Sequence, residues 1–209
     1  MLKNINTYIK AYVMNPIIYK SKENVLELLK YRHFKISSKK SDEFLKSNVN
    51  TSTIEVSNSQ EMDIFTYCVN VPRVNQKILT KLIEDNYRQT NKSITLSIIT
   101  IDSITPSIIN SIKTFEKKYG LDIVFFQLKN LMVNPTKHSM YSKHIRMKTD
   151  ENFKKDLCDS LHICDIERIP KISKDDVIAR YINLKIGEIV RIEKRTENSG
   201  ICNVFKLCV

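Results

Sequence analysis

The side chains in this sequence that could do chemistry are few. Glu55 lies on a strand-like run and Asp63 just ahead of the next one, and Asp175-Asp176 form an acidic pair. Two carboxylates and a lysine converging at a sheet edge could hold a divalent metal and hydrolyse a phosphodiester. Such a site usually carries its acid two positions before a lysine on one strand, and Ile54-Glu55-Val56-Ser57 has no lysine there. Asp175-Asp176 precedes a short helical run, where acceptors cap unpaired amides. Cys158, His162 and Cys164 are close enough for zinc, but a closed structural site needs four ligands, and no C-x-x-C pair is present. His144 is either a ligand or acid–base group, or a histidine that hydrogen-bonds locally. With three glycines in the chain there is no phosphate loop and no G-x-G-x-x-G, and no nucleophile stands beside a base. The expectation is no catalytic residue, no metal, no cofactor and no small-molecule substrate.

A different chemistry is open to Thr105-Pro106-Ser107. Threonine at a cap position with proline behind it starts a helix. A helix N-terminus with free amides and small hydroxyls can neighbour a phosphate, or it can simply be a helix start. Ile108, Ile112, Phe115 and Tyr119 then share one face, and Gly120 supplies the left-handed stop.

Around this start lies an alternation of strands and helices. Thr51–Val56 and Ile64–Val69 read as strands, with a polar turn at Asn58–Glu61. Val74–Tyr87 is an amphipathic helix with Lys77, Lys81, Glu84 and Arg88 outward. Ser93–Ile101 and Leu121–Leu128 are apolar enough to be strands buried on both faces. This order requires an α/β layer with at least one parallel crossover. Upstream, Tyr8, Ile9 and Val13 form the face of a first helix. Val25, Leu28 and Leu29 mark a second, opened by Asn24 as cap, and Ser41-Asp42-Glu43 a short third. Asn134-Pro135-Thr136 interrupts the pattern and sets an expected boundary, residues 1–135 against 136–209.

Beyond the boundary, Thr149 is the expected cap of a helix with Phe153, Leu157 and Leu161 inward. Ile169-Pro170 is an extended entry. A helical turn, Val177–Tyr181, follows the acidic pair. Leu184–Gly187 turns into a strand, Glu188–Lys194, and Glu197–Gly200 is turn chemistry before a last strand, Ile201–Val209. On that strand Ile201, Phe205, Leu207 and Val209 share a face.

The spacing from Pro170 to Ile192, P-x-I-x-x-x-D-x-x-A-R-Y-x-x-x-K-x-G-x-x-V-x-I, resembles the C-terminal domain of the fifth subunit shared by the eukaryotic nuclear RNA polymerases, and the archaeal counterpart of that domain. Lys143-His144-Ile145 is similar to that family's entry to the domain, with Ser142 where a proline usually stands. Val177 likewise replaces a proline, and Asn183 replaces a glycine, asparagine being the non-glycine residue best able to take positive φ. Thr105-Pro106-Ser107 resembles a turn of the family's jaw domain.

The resemblance implies an α/β N-terminal jaw-type domain with a mixed sheet flanked by helices, plus a small α+β C-terminal assembly domain. It implies a non-catalytic subunit of a multisubunit DNA-directed RNA polymerase. His144, Pro170, Asp176, Arg180, Tyr181, Lys185 and Gly187 would then serve assembly on the largest subunit and other polymerase subunits. Thr105, Pro106 and Ser107 would lie beside downstream duplex DNA, without sequence readout.

Composition agrees with a basic protein of one or two domains. The 209 residues carry a formal charge of +11, which fits either a polyanionic or acidic partner or a Lys/Asn/Ile-rich composition of AT-rich origin. The five cysteines, Cys68, Cys158, Cys164, Cys202 and Cys208, are odd in number and scattered, as expected of buried thiols in a reducing compartment. No apolar run is long enough to span a bilayer, and Lys3 and Lys10 are followed by no signal-peptide core. The location expected is intracellular: nucleus if cellular, virion or viral factory if viral. The alternative reading is a free-standing basic nucleic-acid-binding protein that reuses the polymerase module.

Overall fold

The computed structural model describes residues 2–47, 52–69, 74–86, 92–147, 149–196 and 200–209, with side chains from Pro16 onward. It divides into two compact units, residues 1–133 and 134–209. The first unit opens with α1 (Leu2–Tyr31) and α2 (Ser38–Lys46), followed by β1 (Thr53–Ser57) and β2 (Glu61–Cys68). Then come α3 (Gln76–Asn86), β3 (Ser93–Thr100), α4 (Pro106–Tyr119) and β4 (Leu121–Gln127). The strands form one sheet in the order β1-β2-β3-β4. β1 runs antiparallel to β2, while β2-β3 and β3-β4 are parallel, each closed by a helical crossover. The α/β layer with parallel crossovers that the element order requires is therefore present, as a mixed sheet.

The two faces of this sheet are packed differently. Ile64, Leu96, Ile98 and Ile123 meet Leu79 and Ile83 of α3 and Ile108 and Ile112 of α4 in an all-apolar core. The opposite face carries Asp63, Phe65 and Tyr67 in alternation with those residues, as the two-residue period dictates. Here Tyr67 Oη lies 3.0 Å from Ser21 Oγ of α1. The Arg32 guanidinium, just past α1, sits 2.7 Å from the Asp63 carboxylate and over the Phe65 ring, with both charged side chains nearly fully buried. Phe65 stacks on Phe126 with centroids 6.0 Å apart.

Three local expectations are corrected. The N-terminal helices are one continuous α1 running through Pro16. Asn24 is no cap but a buried side chain whose amide donates to the Leu131 carbonyl at 2.6 Å. The face assigned to Tyr8, Ile9 and Val13 lies outside the described side chains. The next helix starts earlier than Ser41, at Ser38, because Ser37 Oγ accepts from the Lys40 amide and so fixes the start. Arg88 and Glu197–Ser199 also fall outside the described residues.

α2 is held by a buried lysine on α1. Lys22 Nζ donates to the Phe44 and Ser47 carbonyls and to Ser47 Oγ, each at 3.0 Å, at the end of α2 where backbone acceptors lack helical partners. Its burial pushes its pKa down. The Phe44 ring lies 5.3 Å below the ammonium.

The second unit holds β5 (Lys143–Arg146), α5 (Glu151–Leu161), β6 (Lys171–Ile172), α6 (Val177–Tyr181), β7 (Ile189–Thr196) and β8 (Gly200–Cys208). Its sheet order is β5-β7-β8-β6, antiparallel except where β6 joins β8. Leu157 of α5 packs on Ile169, Ile189 and Leu207, with Phe153 and Phe205 at the margin. Leu161, expected inward, is exposed at the end of α5. Thr149 is not the cap either. That position belongs to Asp150, while Thr149 Oγ1 donates to the Met147 carbonyl and accepts from the Ile189 amide, tying the helix start to β7.

Asp63→Ala removes the carboxylate that neutralises a buried guanidinium, a loss of about 3 kcal/mol. Urea denaturation of the full chain checks this as a lowered midpoint at unchanged slope; an unchanged midpoint contradicts the reading.

Candidate functional site

The second unit is organised by a four-residue turn, Lys185-Ile186-Gly187-Glu188, closed by the Glu188 amide donating to the Lys185 carbonyl at 3.1 Å. Gly187 occupies its third position with φ 85°, where a type II turn needs a residue free of the Cβ penalty. The Glu188 side chain then folds back. Its Oε2 accepts from the Lys185 amide at 2.8 Å and from Arg146 Nε at 2.8 Å, and its Oε1 accepts from Arg146 Nη2 at 2.7 Å. One carboxylate so joins the turn to β5 through a two-pronged charged contact, the strong geometry for an arginine pair. The backbone on either side pairs with β8: Gly187 N–H to the Cys208 carbonyl, and Cys208 N–H to the Glu188 carbonyl, both 2.9 Å.

α6 starts where the acidic pair places it. Asp176 Oδ1 accepts from the Ile178 and Ala179 amides at 2.8 and 3.3 Å, and Asp175 takes no part in that cap. Asn183, two residues past the end of α6, adopts φ 56° as expected of the glycine replacement. Tyr181 turns inward and donates through its hydroxyl to Asn134 Oδ1 at 3.1 Å. Asn134 Oδ1 also accepts from the Thr136 amide and hydroxyl at 2.9 and 2.7 Å. The residue read from sequence only as a boundary thus anchors the start of the second unit to α6.

His144 on β5 is half-buried. Its Nδ1 lies 2.6 Å from the Ser142 carbonyl, which can only accept, so Nδ1 carries a proton. Its ring packs on Tyr141. Burial pushes its pKa down; the Ser142 carbonyl and Asp176 oppose this, and Lys206 and Lys194 add to it. Local hydrogen bonding therefore accounts for the ring, the simpler of the two readings.

In the first unit Thr105, Pro106 and Ser107 are exposed at the start of α4. Pro106 takes the first helical position as expected, and Gly120 ends the helix at φ 64° with its amide on the Glu116 carbonyl. Thr105 occupies the cap with extended backbone, but its hydroxyl makes no capping bond. The Thr105 carbonyl instead takes the Ile108 and Ile109 amides. The first turn of α4 has no acidic side chain.

Among the described residues no group of three or more His, Cys, Asp and Glu side chains could hold a metal. All five cysteines are free thiols. Cys68 and Cys208 are buried, which pushes both thiols up, while Cys158 and Cys202 are half-buried and Cys164 is exposed, so burial holds for two of the five. Among the described residues no helix is long and apolar enough to cross a membrane.

Residues 133–208 match the family model of the RNA polymerase Rpb5 C-terminal domain. That span contains the Glu188 turn, the capped α6 and the β5-β7-β8-β6 sheet. The second unit of the chain is thus similar to that domain. The chain is 26% identical to subunit rpabc1 of DNA-directed RNA polymerases I, II, and III from Dictyostelium discoideum, over 90% of this chain and 95% of that one. It is 32% identical to subunit RPABC1 of DNA-directed RNA polymerases I, II, and III from Caenorhabditis elegans, over 56% of this chain and 54% of that relative. Similarity to subunit 5A of DNA-directed RNA polymerase V from Arabidopsis thaliana is 31% over 49% and 43% of the two chains. The match spans about half the length of the nematode and plant subunits and nearly all of the Dictyostelium one.

Within the Rpb5-like module, Pro170, Asp176 and Gly187 are exposed, His144, Arg180 and Lys185 half-buried, and Tyr181 buried. Several of these already have work inside the unit: Asp176 caps, Gly187 turns, Tyr181 anchors Asn134. Glu188, Arg146 and Asn134 escaped the sequence reading, although an acid directly after a Lys-x-Gly turn was a usable signal for the first. Val177, Ile186 and Val209 are exposed apolar side chains, and backbone pairing joins Lys174 to Val209 and Gly187 to Cys208.

Glu188→Ala releases Arg146 and the Lys185 amide together and lowers the unfolding free energy by about 2 kcal/mol; thermal melts of Glu188→Ala that match wild type refute the hub. A second expectation concerns acid. The folded pKa of His144 lies below its ordinary value, so the unfolded chain binds more protons there, and stability falls as pH drops below the ordinary imidazole range. Melting temperature followed from neutral to mildly acid pH shows this slope, and His144→Leu flattens it; parallel curves for the two proteins rule it out.

Proposed function

We propose that this chain is a non-catalytic subunit of a multisubunit DNA-directed RNA polymerase. In this reading its second unit docks on the largest subunit, and its first flanks downstream DNA. The observation that carries it is the match of residues 133–208 to the Rpb5 C-terminal domain, joined to relatives that are polymerase subunits by name. Nucleotide addition then belongs to other chains, and this one contributes position. The site of assembly is the exposed apolar group Val177, Ile186 and Val209, because apolar side chains left in water gain most from being covered. In this reading His144, Pro170, Arg180 and Lys185 take part in the same assembly. Such a subunit works wherever its polymerase does: in the nucleus of a cell, or in a virion or viral factory.

The DNA-facing part of the proposal rests on Thr105, Pro106 and Ser107. Their exposure, the absence of acid in the first turn of α4 and the net charge of +11 all favour a phosphate neighbour without base readout.

Affinity purification of the tagged chain from its source at high salt, followed by mass spectrometry, tests the assembly. The two largest polymerase subunits are expected in near-equal amounts, and Ile186→Asp, at an exposed turn position, is expected to lose them while keeping the fold. Recovery of the chain alone, or with nucleic acid that salt removes, points to a free-standing nucleic-acid-binding protein instead. Pro106→Ala with Ser107→Ala is expected to shorten open-complex lifetime more at low salt than at high salt without changing subunit recovery; equal lifetimes across salt concentrations refute the DNA-facing role.

A further inference from the structure

The edges of the two sheets are not equally guarded. On the outer edge of β1, Lys40 Nζ donates to the Glu55 carbonyl. On that of β4, the Ile123 amide donates to Glu116 Oε1 at 3.1 Å. β5 is four residues long and carries Lys143, His144 and Arg146. Short edges and charged side chains keep unpaired backbone from collecting a foreign strand. The remaining edge is different. β6 covers β8 only at Leu207 and Cys208, because the chain before β6 coils into a turn at Ile166–Arg168.

The bonds that are made fix which way the rest of β8 faces. Cys208 bonds toward β7, to Gly187 and Glu188, whereas the Leu207 and Val209 amides point the other way, to the Pro170 and Ile172 carbonyls. Backbone groups alternate in side along an extended strand. Ile201, Asn203 and Phe205 therefore turn theirs to the outer edge, beyond the reach of β6, and among the described residues nothing bonds to them there. Gly200 to Phe205 has no charged side chain and no proline. Ile201 is 65% exposed, and Asn203 is exposed as well. On the other side β5 reaches only Glu193. The end of the β7-β8 hairpin is thus a ribbon of two strands, which is marginal in water by itself.

We propose that the outer edge of β8 pairs antiparallel with the same edge of a second copy of this chain. One register uses all three outward residues. It puts a twofold axis at Asn203 and sets Ile201 opposite Phe205 of the partner subunit, each facing pair exchanging both of its backbone bonds. A slip of two residues runs into β6 or into the hairpin turn. The side chains suit this register. An exposed isoleucine gains an aromatic cross-strand neighbour. The two Asn203 amides meet at the axis, where each can donate and accept. Lys206 faces Gly200 of the partner subunit, so no like charges are opposed. The edge is its own complement, and such a contact closes as a dimer. The inference stands apart from the polymerase reading, since it concerns the purified chain.

Sedimentation of the full chain across the micromolar range tests it. Reversible dimers are expected, and they tighten as salt screens the like charge of two chains at +11 each. Asn203→Pro removes an amide that bonds nothing within the chain and is expected to weaken association by about tenfold or more, with circular dichroism unchanged. Val204→Cys reads the register. That position faces Cys202 of the partner subunit as a non-bonded pair, with Cα atoms about 4.5 Å apart and within disulfide reach. Oxidation with diamide is expected to give a linked dimer whose peptide map joins position 204 to Cys202, a link that Val204→Cys with Cys202→Ser lacks. A chain that stays monomeric at every concentration overturns the proposal. So does association that Asn203→Pro leaves intact or that rising salt abolishes. A monomeric chain whose Asn203→Pro variant loses the large polymerase subunits on affinity purification assigns the edge to a strand of another protein, and the dimer falls while the assembly reading stands.

Discussion

The carboxylate of Glu188 is the constraint on which the second unit depends. It does two things at once, accepting from the Lys185 amide across the turn and gripping Arg146 on β5, while the Glu188 backbone carbonyl takes the Cys208 amide. Each contact is modest alone, since a single ion pair still partly in water contributes little. Their value comes from sharing one rigid group. Once Gly187 has turned the chain, the side chain of Glu188 has little freedom left to lose, so the contacts do not each carry a separate entropic cost. The turn is thereby tied through the side chain to β5, and the backbone beside it to β8.

The first unit solves a different problem. Its sheet has helices on one face packed through apolar side chains alone, and α1 on the other packed through Tyr67, Asp63 and their partners. Apolar packing is tolerant of sliding, whereas buried polar groups are costly unless every partner is in place. The polar face therefore specifies where α1 lies, and Lys22 extends the same logic to α2 by taking its terminal carbonyls. Specificity here is obtained at some expense of stability, because a buried ion pair seldom outperforms apolar packing of equal volume.

Much of this was legible in the sequence. The parallel crossovers followed from alternating strand and helix patterns, α6 was bounded correctly at Val177–Tyr181, and the positive φ of Asn183 followed from which residue stood there. The unreadable parts share one cause. Asn24 has the chemistry of a cap yet sits inside α1, because its amide donates to Leu131 more than a hundred residues away, a contact invisible to local pattern. Thr149 failed as a cap for the same reason: its hydroxyl was wanted by β7. Long-range hydrogen bonds override local preference, and no spacing rule reports them.

That distinction also bears on how a motif should be interpreted. The residues whose spacing resembles the polymerase subunit are, in large part, those that make the fold possible: a cap at Asp176, a turn at Gly187, a buried anchor at Tyr181. A fixed interval between a cap and a turn is demanded by geometry whether or not anything binds nearby. The surface available to a partner is instead displayed by residues between the motif positions, Val177 and Ile186 among them, whose identity the fold hardly constrains. Val177 shows the point directly. It stands where the resembled family usually has proline, and α6 still starts there because Asp176 supplies the cap. In the proposed assembly, fold and partner would act on interleaved positions, which would let the chain keep the module while the surface between the motif positions changes.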